Sequence, residues 1–206
     1  MRTIAVDLPG SGDANSDPGP YTVERFATGL EELIEILGVA PAVVVGHSMG
    51  GKVALRLAVD APHVVRALVL IAPVPPGAAG FSPKGEAGLR ATAGDPVAVR
   101  DWLARTLADA SSPALDDLCG VAARTPREAA LESFESWSHT DFAEEARRIE
   151  APTLVIAPEY DAPEKCERDV AALLPNAKCA VLPQAAHYAI VERPQELAEM
   201  LNEFLR

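Results

Sequence analysis

Residues 42–51 read Ala-Val-Val-Val-Gly-His-Ser-Met-Gly-Gly, a β-branched run that leads directly into a glycine-rich turn around Ser48. A helical pattern follows from about Lys52 to Val59. The motif Gly-x-Ser-x-Gly arises by chance in about 7% of chains of this length, but a preceding strand and a following helix are the context that exposes its serine. Glycines at 46 and 50 permit a tight turn and close approach of backbone. The stretch predicts a strained Ser48 at the carboxyl edge of a sheet; the alternative is an idle serine in a glycine-rich turn.

Short apolar runs alternate with longer helical stretches along the chain, which is typical of parallel βαβ units. The runs predicted to be strands, each buried on both faces, are Thr3–Val6, Ala42–Val45, Ala67–Ile71, Thr153–Ala157 and Cys179–Leu182. Helices are predicted over 23–37, 52–59 and 164–174, and a last one begins at Pro194. The pattern therefore predicts an α/β fold with a mostly parallel sheet of about five strands flanked by helices.

The segment 73–150 interrupts this alternation. After a proline-rich start it contains short amphipathic helical patterns, for example over 97–107 and 127–137. An insertion of this length is too long for a simple connection between strands. We expect it to form a helical cap, or lid, over the strand ends, where α/β sheets place their ligand sites. The core domain is then formed by 1–72 and 151–206.

A serine hydroxyl is a weak nucleophile unless a base accepts its proton, and the chain has four histidines. His187 follows the last predicted strand, on a loop at the same edge of the sheet as Ser48. His63 and His139 are expected at the surface, and His47 is next to Ser48 in sequence but points elsewhere. His187 is therefore the candidate base, with a solvent-facing loop histidine as the alternative interpretation.

The acid that orients such a base is expected between the serine and the histidine in the chain. The predicted strand 153–157 ends in a turn that carries Glu159 and Asp161 at the correct edge. Asp161 is the first choice and Glu159 the second, and each could also be an ordinary surface acid. Ser48, Asp161 and His187 follow three different strands at one edge of the sheet, and this coincidence favours all three assignments together.

The amino-acid composition limits the binding partners and the cellular compartment that we expect for the chain. The 206 residues carry 30 acidic and 18 basic side chains, a formal charge of −12, which disfavours nucleic-acid binding and electrostatic attachment to membranes. Three scattered cysteines without a CxxC spacing predict neither a disulfide framework nor a metal site, and we expect no cofactor. Because the first residues lead into a strand-like run rather than a signal peptide, the cytoplasm is the expected compartment.

The chain resembles the α/β-hydrolase family over nearly its whole length. The matching pieces are Ala5-Val-Asp-Leu-Pro-Gly10, Val45-Gly-His-Ser-Met-Gly-Gly51, Pro152-Thr-Leu-Val-Ile156 with its turn to Asp161, and the segment from His187 to Pro194. The resemblance implies a nucleophile at Ser48, an acid at Asp161, a base at His187 and an oxyanion donor in the backbone N–H of Met49. In style the chain is similar to small bacterial esterases, cofactor-free haloperoxidase-like enzymes and carbon–carbon bond hydrolases.

Members of this family usually begin with three more strands and a helix, and a His-Gly motif after the third strand gives a second oxyanion donor. This chain begins at the equivalent of the fourth strand, so the second donor has no assigned residue. Right-handed crossovers would then leave one face of the sheet to the C-terminal helix alone. In one hypothesis Thr3–Val6 takes the vacant central position and the Pro9–Gly12 loop supplies the donor. In the other, a second copy of the chain in a homo-oligomer, or residues outside this sequence, covers the bare face.

These features predict a serine hydrolase that cleaves an ester, lactone or thioester of a small, largely apolar substrate, with activity lowered by the missing donor. Trp102, Phe134 and Trp137, with Phe81 beside them, are candidate substrate-binding residues; the alternative is that they only pack the cap helices together. A prediction from another class is a non-hydrolytic protein of the same fold, either a binding or interaction protein or a cyclase, with an incomplete oxyanion hole.

Overall fold

A computed structural model of the chain describes residues 2–161 and 164–206. Its sheet has parallel strands in the order β1-β2-β3-β4. The strands are β1 (Ala42–His47), β2 (Val65–Ile71), β3 (Thr153–Pro158) and β4 (Ala177–Leu182). The helices are α1 (Val23–Ile36), α2 (Met49–Asp60), α3 (Pro83–Thr92), α4 (Pro96–Thr106), α5 (Ala114–Ala122), α6 (Arg127–His139), α7 (Ala143–Ala146), α8 (Glu164–Leu173), α9 (Ala189–Glu192) and α10 (Pro194–Phe204). The predicted α/β fold is confirmed, and so are the last four predicted strands.

The inner and outer strands differ in burial. β2 and β3 are buried along almost their whole length, because each has a neighbour on both sides. β1 and β4 are the edge strands, and Val45 of β1 is 49% exposed. The expectation that every strand is buried on both faces is therefore correct for the inner pair and wrong for the edge pair.

The side chains of successive strand residues point to opposite faces of the sheet, and each face has its own apolar core. One core joins Leu68, Leu70 and Val155 to helices α1, α2 and α8. The other joins Val69, Ile71, Leu154 and Ile156 mainly to α10 and the loop that precedes α9. This matches the expectation that the crossover helices share one face and the C-terminal helix covers the other.

The stretch before α1 differs from the prediction. Residues Thr3–Val6 form no strand, and Ile4 and Val6 are 41% and 42% exposed. The Asp7 carboxylate accepts the N–H of Asp13 at 2.9 Å, so a local turn competes with extension. The N–H groups of Gly10 and Ser11 donate to carbonyls of Ala14 and Leu8. The hypothesis of a shifted central strand is therefore wrong, and these two N–H groups are used within their own loop.

The segment 73–150, called the cap segment from here on, contains helices α3 to α7, including the two predicted over 97–107 and 127–137. It has an apolar cluster of its own around Leu103, Leu107 and Leu115. Its division from the core as a separate domain stays a prediction. Among the described residues, no helix has both the length and the apolar character needed to cross a bilayer.

Candidate active site

Ser48 lies between β1 and α2 with φ 52° and ψ −121°, a conformation that is unfavourable for a residue with a side chain. Backbone hydrogen bonds hold it there. The Ser48 N–H donates to the Ile71 carbonyl at 3.0 Å, and the Ser48 carbonyl accepts from the N–H groups of Gly51 at 2.9 Å and Val74 at 3.0 Å. The turn therefore fixes the serine at the carboxyl edge of the sheet, as predicted.

Two glycines allow this turn to close. A Cβ on Gly46 would lie 2.4 Å from the Gly50 carbonyl oxygen, and one on Gly51 would lie 2.7 Å from Cβ of Pro73. A Cβ on Gly50 would meet nothing within 4 Å. The predicted close approach is thus present at Gly46, whereas Gly51 rather than Gly50 provides the second one.

The structure brings Ser48, His187 and Asp161 together in one chain of hydrogen bonds. The Ser48 Oγ lies 3.0 Å from Nε2 of His187, and Nδ1 of His187 lies 2.7 Å from Oδ2 of Asp161. The side chains of His187 and Asp161 are 24% and 19% exposed, so the site is reachable yet shielded. The Glu159 carboxylate instead accepts the N–H of Gln184 at 2.8 Å. Of the two candidate acids, Asp161 is therefore the one placed to orient His187.

His47 takes part in the site, contrary to the expectation that it points elsewhere. Its Nε2 lies 2.6 Å from the carbonyl oxygen of His187, and the two rings are 5.0 Å apart. Burial, with the nearby His187 as a second cause, lowers the pKa of His47 to about 4. A neutral His47 with its proton on Nε2 donates to that carbonyl, so it holds the backbone of the candidate base.

The other histidines lie at the surface, as predicted. His139 is exposed beside Glu135. His63 is exposed beside Glu31 and Glu35, with one possible ligand atom of each residue within 4.8 Å of the others. Neither histidine has a contact with Ser48 among the hydrogen bonds of the described residues.

Met49 is the first residue of α2. The first N–H groups of a helix have no carbonyl partner within the helix, and the helix dipole makes that end electropositive. The Met49 N–H is thus suited to stabilise negative charge developing beside Ser48. A second donor stays without an assigned residue.

Comparison with known proteins identifies the family. Residues 1–200 match the family described as the Alpha/beta hydrolase family. The chain belongs to the alpha/beta hydrolase family. It is 29% identical to the sn-1-specific diacylglycerol lipase ABHD11 of Mus musculus, in an alignment that covers 99% of this chain and 71% of that relative.

Solved structures agree with this assignment. A hydrolase from Pseudomonas aeruginosa PA01 is 30% identical with a TM-score of 0.83, and the match covers 97% of this chain and 77% of that one. A bromoperoxidase from Bacillus anthracis is 22% identical with a TM-score of 0.88, over 97% and 79% of the two chains; this likeness shows the fold alone. Family and relatives together support a hydrolase of the α/β fold.

In this member of the alpha/beta hydrolase family, the loop that carries His187 is joined to the cap segment. The His187 N–H donates to the Thr106 carbonyl at 3.1 Å. The Glu192 carboxylate accepts from the N–H of Ala108 in the cap segment at 2.5 Å and from that of Ala186 at 2.9 Å. Tyr188 packs against the apolar cluster of the cap segment. Sequence reasoning missed these contacts, because a side chain that binds distant backbone leaves no local pattern.

The predicted substrate-binding aromatic residues fall into two groups. Phe134 and Trp137 pack edge-to-face with centroids 5.1 Å apart, and Phe81 lies against both. Phe134 is buried, and Trp137 packs against the core around α2. Trp102 lies on α4, outside this aromatic cluster, and is partly exposed. The contacts of Phe134 and Trp137 match the alternative of packing within the cap segment, and their role in substrate binding stays a prediction.

Proposed function

We propose that this protein is a serine hydrolase that cleaves an ester, lactone or thioester of a small, largely apolar acyl compound. The single observation that carries the proposal is the continuous path from Ser48 Oγ through the His187 ring to Asp161, with donor–acceptor distances of 3.0 and 2.7 Å. Nucleophile, base and orienting acid in hydrogen-bond reach are the arrangement that activates a serine. The chemistry requires only these side chains, backbone N–H groups and water.

Acylation begins when Ser48 Oγ attacks the carbonyl carbon and its proton passes to Nε2 of His187. The bond to the leaving group then breaks, and His187 returns that proton to the departing alcohol or thiol. Asp161 accepts the Nδ1–H of His187, which fixes the tautomer and stabilises the imidazolium. Water attacks the acyl-enzyme with His187 as base again, and the acid leaves while Ser48 regains its proton.

The negative oxygen of each tetrahedral intermediate lies beside the N-terminus of α2 in this proposal. The Met49 N–H is the assigned donor, and the loss of one such donor typically costs about 10²–10³ in turnover.

An apolar substrate fits the surroundings of the base. Tyr188 follows His187 directly, with rings 5.3 Å apart, and packs on the Leu103, Leu107 and Leu115 cluster. The carboxylates that give the chain its charge of −12 disfavour anionic substrates. The relative named as a diacylglycerol lipase agrees with an ester carrying apolar acyl groups.

The test is hydrolysis of p-nitrophenyl esters and thioesters with acyl chains from two to eight carbons. Wild type is expected to turn over the short and medium chains. Ser48→Ala is expected to abolish turnover, while Ser16→Ala, at an exposed position, retains it. Turnover that persists in Ser48→Ala would refute the proposal. A folded wild type that cleaves none of the esters would favour the non-hydrolytic alternative, a binding protein or cyclase.

A further inference from the structure

Lys52 is a fully buried lysine that the proposed chemistry does not use. Its side chain has 0% exposure. The ammonium donates to three backbone carbonyls, those of Gly77 at 2.9 Å, Trp137 at 2.8 Å and Thr140 at 2.6 Å. An ammonium group has three N–H donors, so every donor has a partner. A buried charge is costly unless it is satisfied in this way, and such an arrangement points to a specific role.

The groups around the ammonium support its charged form. Burial lowers the pKa of Lys52 to about 8, while the negative charges of Asp141 and Glu24 act against this shift. The side chain is therefore mainly protonated at neutral pH. The ring of Phe142 lies 5.9 Å from the ammonium.

The three carbonyls belong to the two ends of the cap segment. Gly77 lies where the segment leaves β2, and Trp137 and Thr140 lie at the end of α6, shortly before the chain returns to β3. Two further bonds join the same ends, from the Ala79 N–H to the Ser138 carbonyl and from the Phe142 N–H to the Pro76 carbonyl. Lys52 thus joins the two ends of the cap segment, which together form the base of this segment.

The base of the cap segment is directly connected to Ser48. Lys52 lies on α2 one turn after Ser48. The first residues of the cap segment contact the turn around Ser48. The Val74 N–H donates to the Ser48 carbonyl, and Pro73 packs against Gly51. The segment then reaches Gly77, which Lys52 binds. A displacement of the two ends of the cap segment would therefore move the segment relative to Ser48.

We propose that Lys52 is a positioning residue that holds both ends of the cap segment on the nucleophile helix, and so sets the affinity for the part of the substrate under the cap. This role in catalysis rests on the proposed function. Groups that react at Ser48 without reaching under the cap do not depend on Lys52. Longer acyl chains do, since they need a cap held at a fixed distance.

The variant Lys52→Met removes the three N–H donors of the ammonium and keeps much of the volume of the side chain. Lys84→Met is the matched control at an exposed lysine of α3. Hydrogen exchange of the full chain reports on the anchor without any substrate. We expect backbone exchange over 76–81 and 136–142 to become about tenfold faster in Lys52→Met and to be unchanged in Lys84→Met. Unchanged exchange in Lys52→Met overturns the proposal. If Lys52→Met does not fold, Lys52→Gln, whose amide can donate to two of the three carbonyls, takes its place with smaller effects.

Kinetics then separate positioning from folding. For p-nitrophenyl hexanoate, KM in Lys52→Met is expected to rise about tenfold more than for p-nitrophenyl acetate, with kcat on acetate within about twofold of wild type. An equal change for both esters would mean a merely structural lysine and overturns the positioning role. If wild type cleaves neither ester, the proposed function fails, whereas the exchange experiment still decides whether Lys52 anchors the cap segment.

Discussion

The carboxyl edge of the sheet and the base of the cap segment are separated by one turn of α2, yet different contacts hold them. At the edge, Ser48, Asp161 and His187 follow strands β1, β3 and β4 in register, so the backbone of the sheet brings them together. At the base of the cap, one ammonium binds carbonyls 25, 85 and 88 residues away in the chain.

This difference separates the chemistry from access to it. The candidate catalytic side chains are placed by hydrogen-bonded strands, which are difficult to displace individually. The cap segment is held by apolar packing on the core and by hydrogen bonds, among them those that the side chains of Lys52 and Glu192 make to its backbone. Substitutions at the edge should therefore lower kcat, whereas substitutions at the cap contacts should change KM and local stability.

The largest expected effect is at the edge. Asp161→Asn leaves His187 without its charged partner and in the wrong tautomer, and kcat is expected to fall about 10⁴-fold. Glu159→Gln is the matched control, because that carboxylate binds the Gln184 N–H rather than His187. Ester hydrolysis checks both variants. A larger loss in Glu159→Gln than in Asp161→Asn would exchange the roles of the two acids.

The turn itself gives the next effect. In Gly46→Ala the new Cβ would lie 2.4 Å from the Gly50 carbonyl oxygen, so the backbone must shift, and the free energy of unfolding is expected to fall by about 3 kcal/mol or more. Gly50→Ala has open space at its Cβ and is expected to stay within about 0.5 kcal/mol of wild type. Urea unfolding measures both; equal costs would contradict the assigned crowding.

The hydrogen bond from His47 to the backbone of His187 predicts a stability that depends on pH. The folded pKa of His47 of about 4 lies below the ordinary value of 6.5, so the unfolded chain takes up this proton first as the pH falls. The stability from His47 is complete above pH 6.5 and is lost towards pH 4, by up to about 3 kcal/mol. The stability difference between wild type and His47→Gln should shrink by about this amount between pH 7 and 4. A difference that does not vary with pH would contradict the assigned contact between His47 and His187.

The smallest effect is expected where the loop that carries His187 meets the cap segment. Glu192→Gln keeps the shape of the side chain, but its amide nitrogen cannot accept a hydrogen bond, so the N–H of either Ala108 or Ala186 loses its acceptor. We expect kcat/KM for hexanoate to fall about tenfold, with a smaller change for acetate. Glu199→Gln, at an exposed position of α10, is the control. An unchanged kcat/KM for hexanoate would show that this bridge does not position the cap segment.

The sequence predicted the inner layers of this molecule better than its margins. Apolar runs identified β1 to β4, and the same kind of run wrongly predicted a strand at Thr3–Val6, because a pattern of side chains does not reveal whether a neighbouring strand exists. The proximity of Ser48, Asp161 and His187 could be predicted because each follows a strand. His47, Glu192 and Lys52 were missed as contacts, since their partners are backbone groups far along the chain.

In the proposed function, Ser48 is the activated nucleophile of this alpha/beta hydrolase. A fluorophosphonate probe followed by intact-mass and peptide mass spectrometry tests it directly, because a serine must be activated by a base to react readily with the probe. We expect one adduct per chain on Ser48, lost in Ser48→Ala and strongly slowed in His187→Ala. A folded protein without an adduct, or with the adduct on another residue, would contradict it.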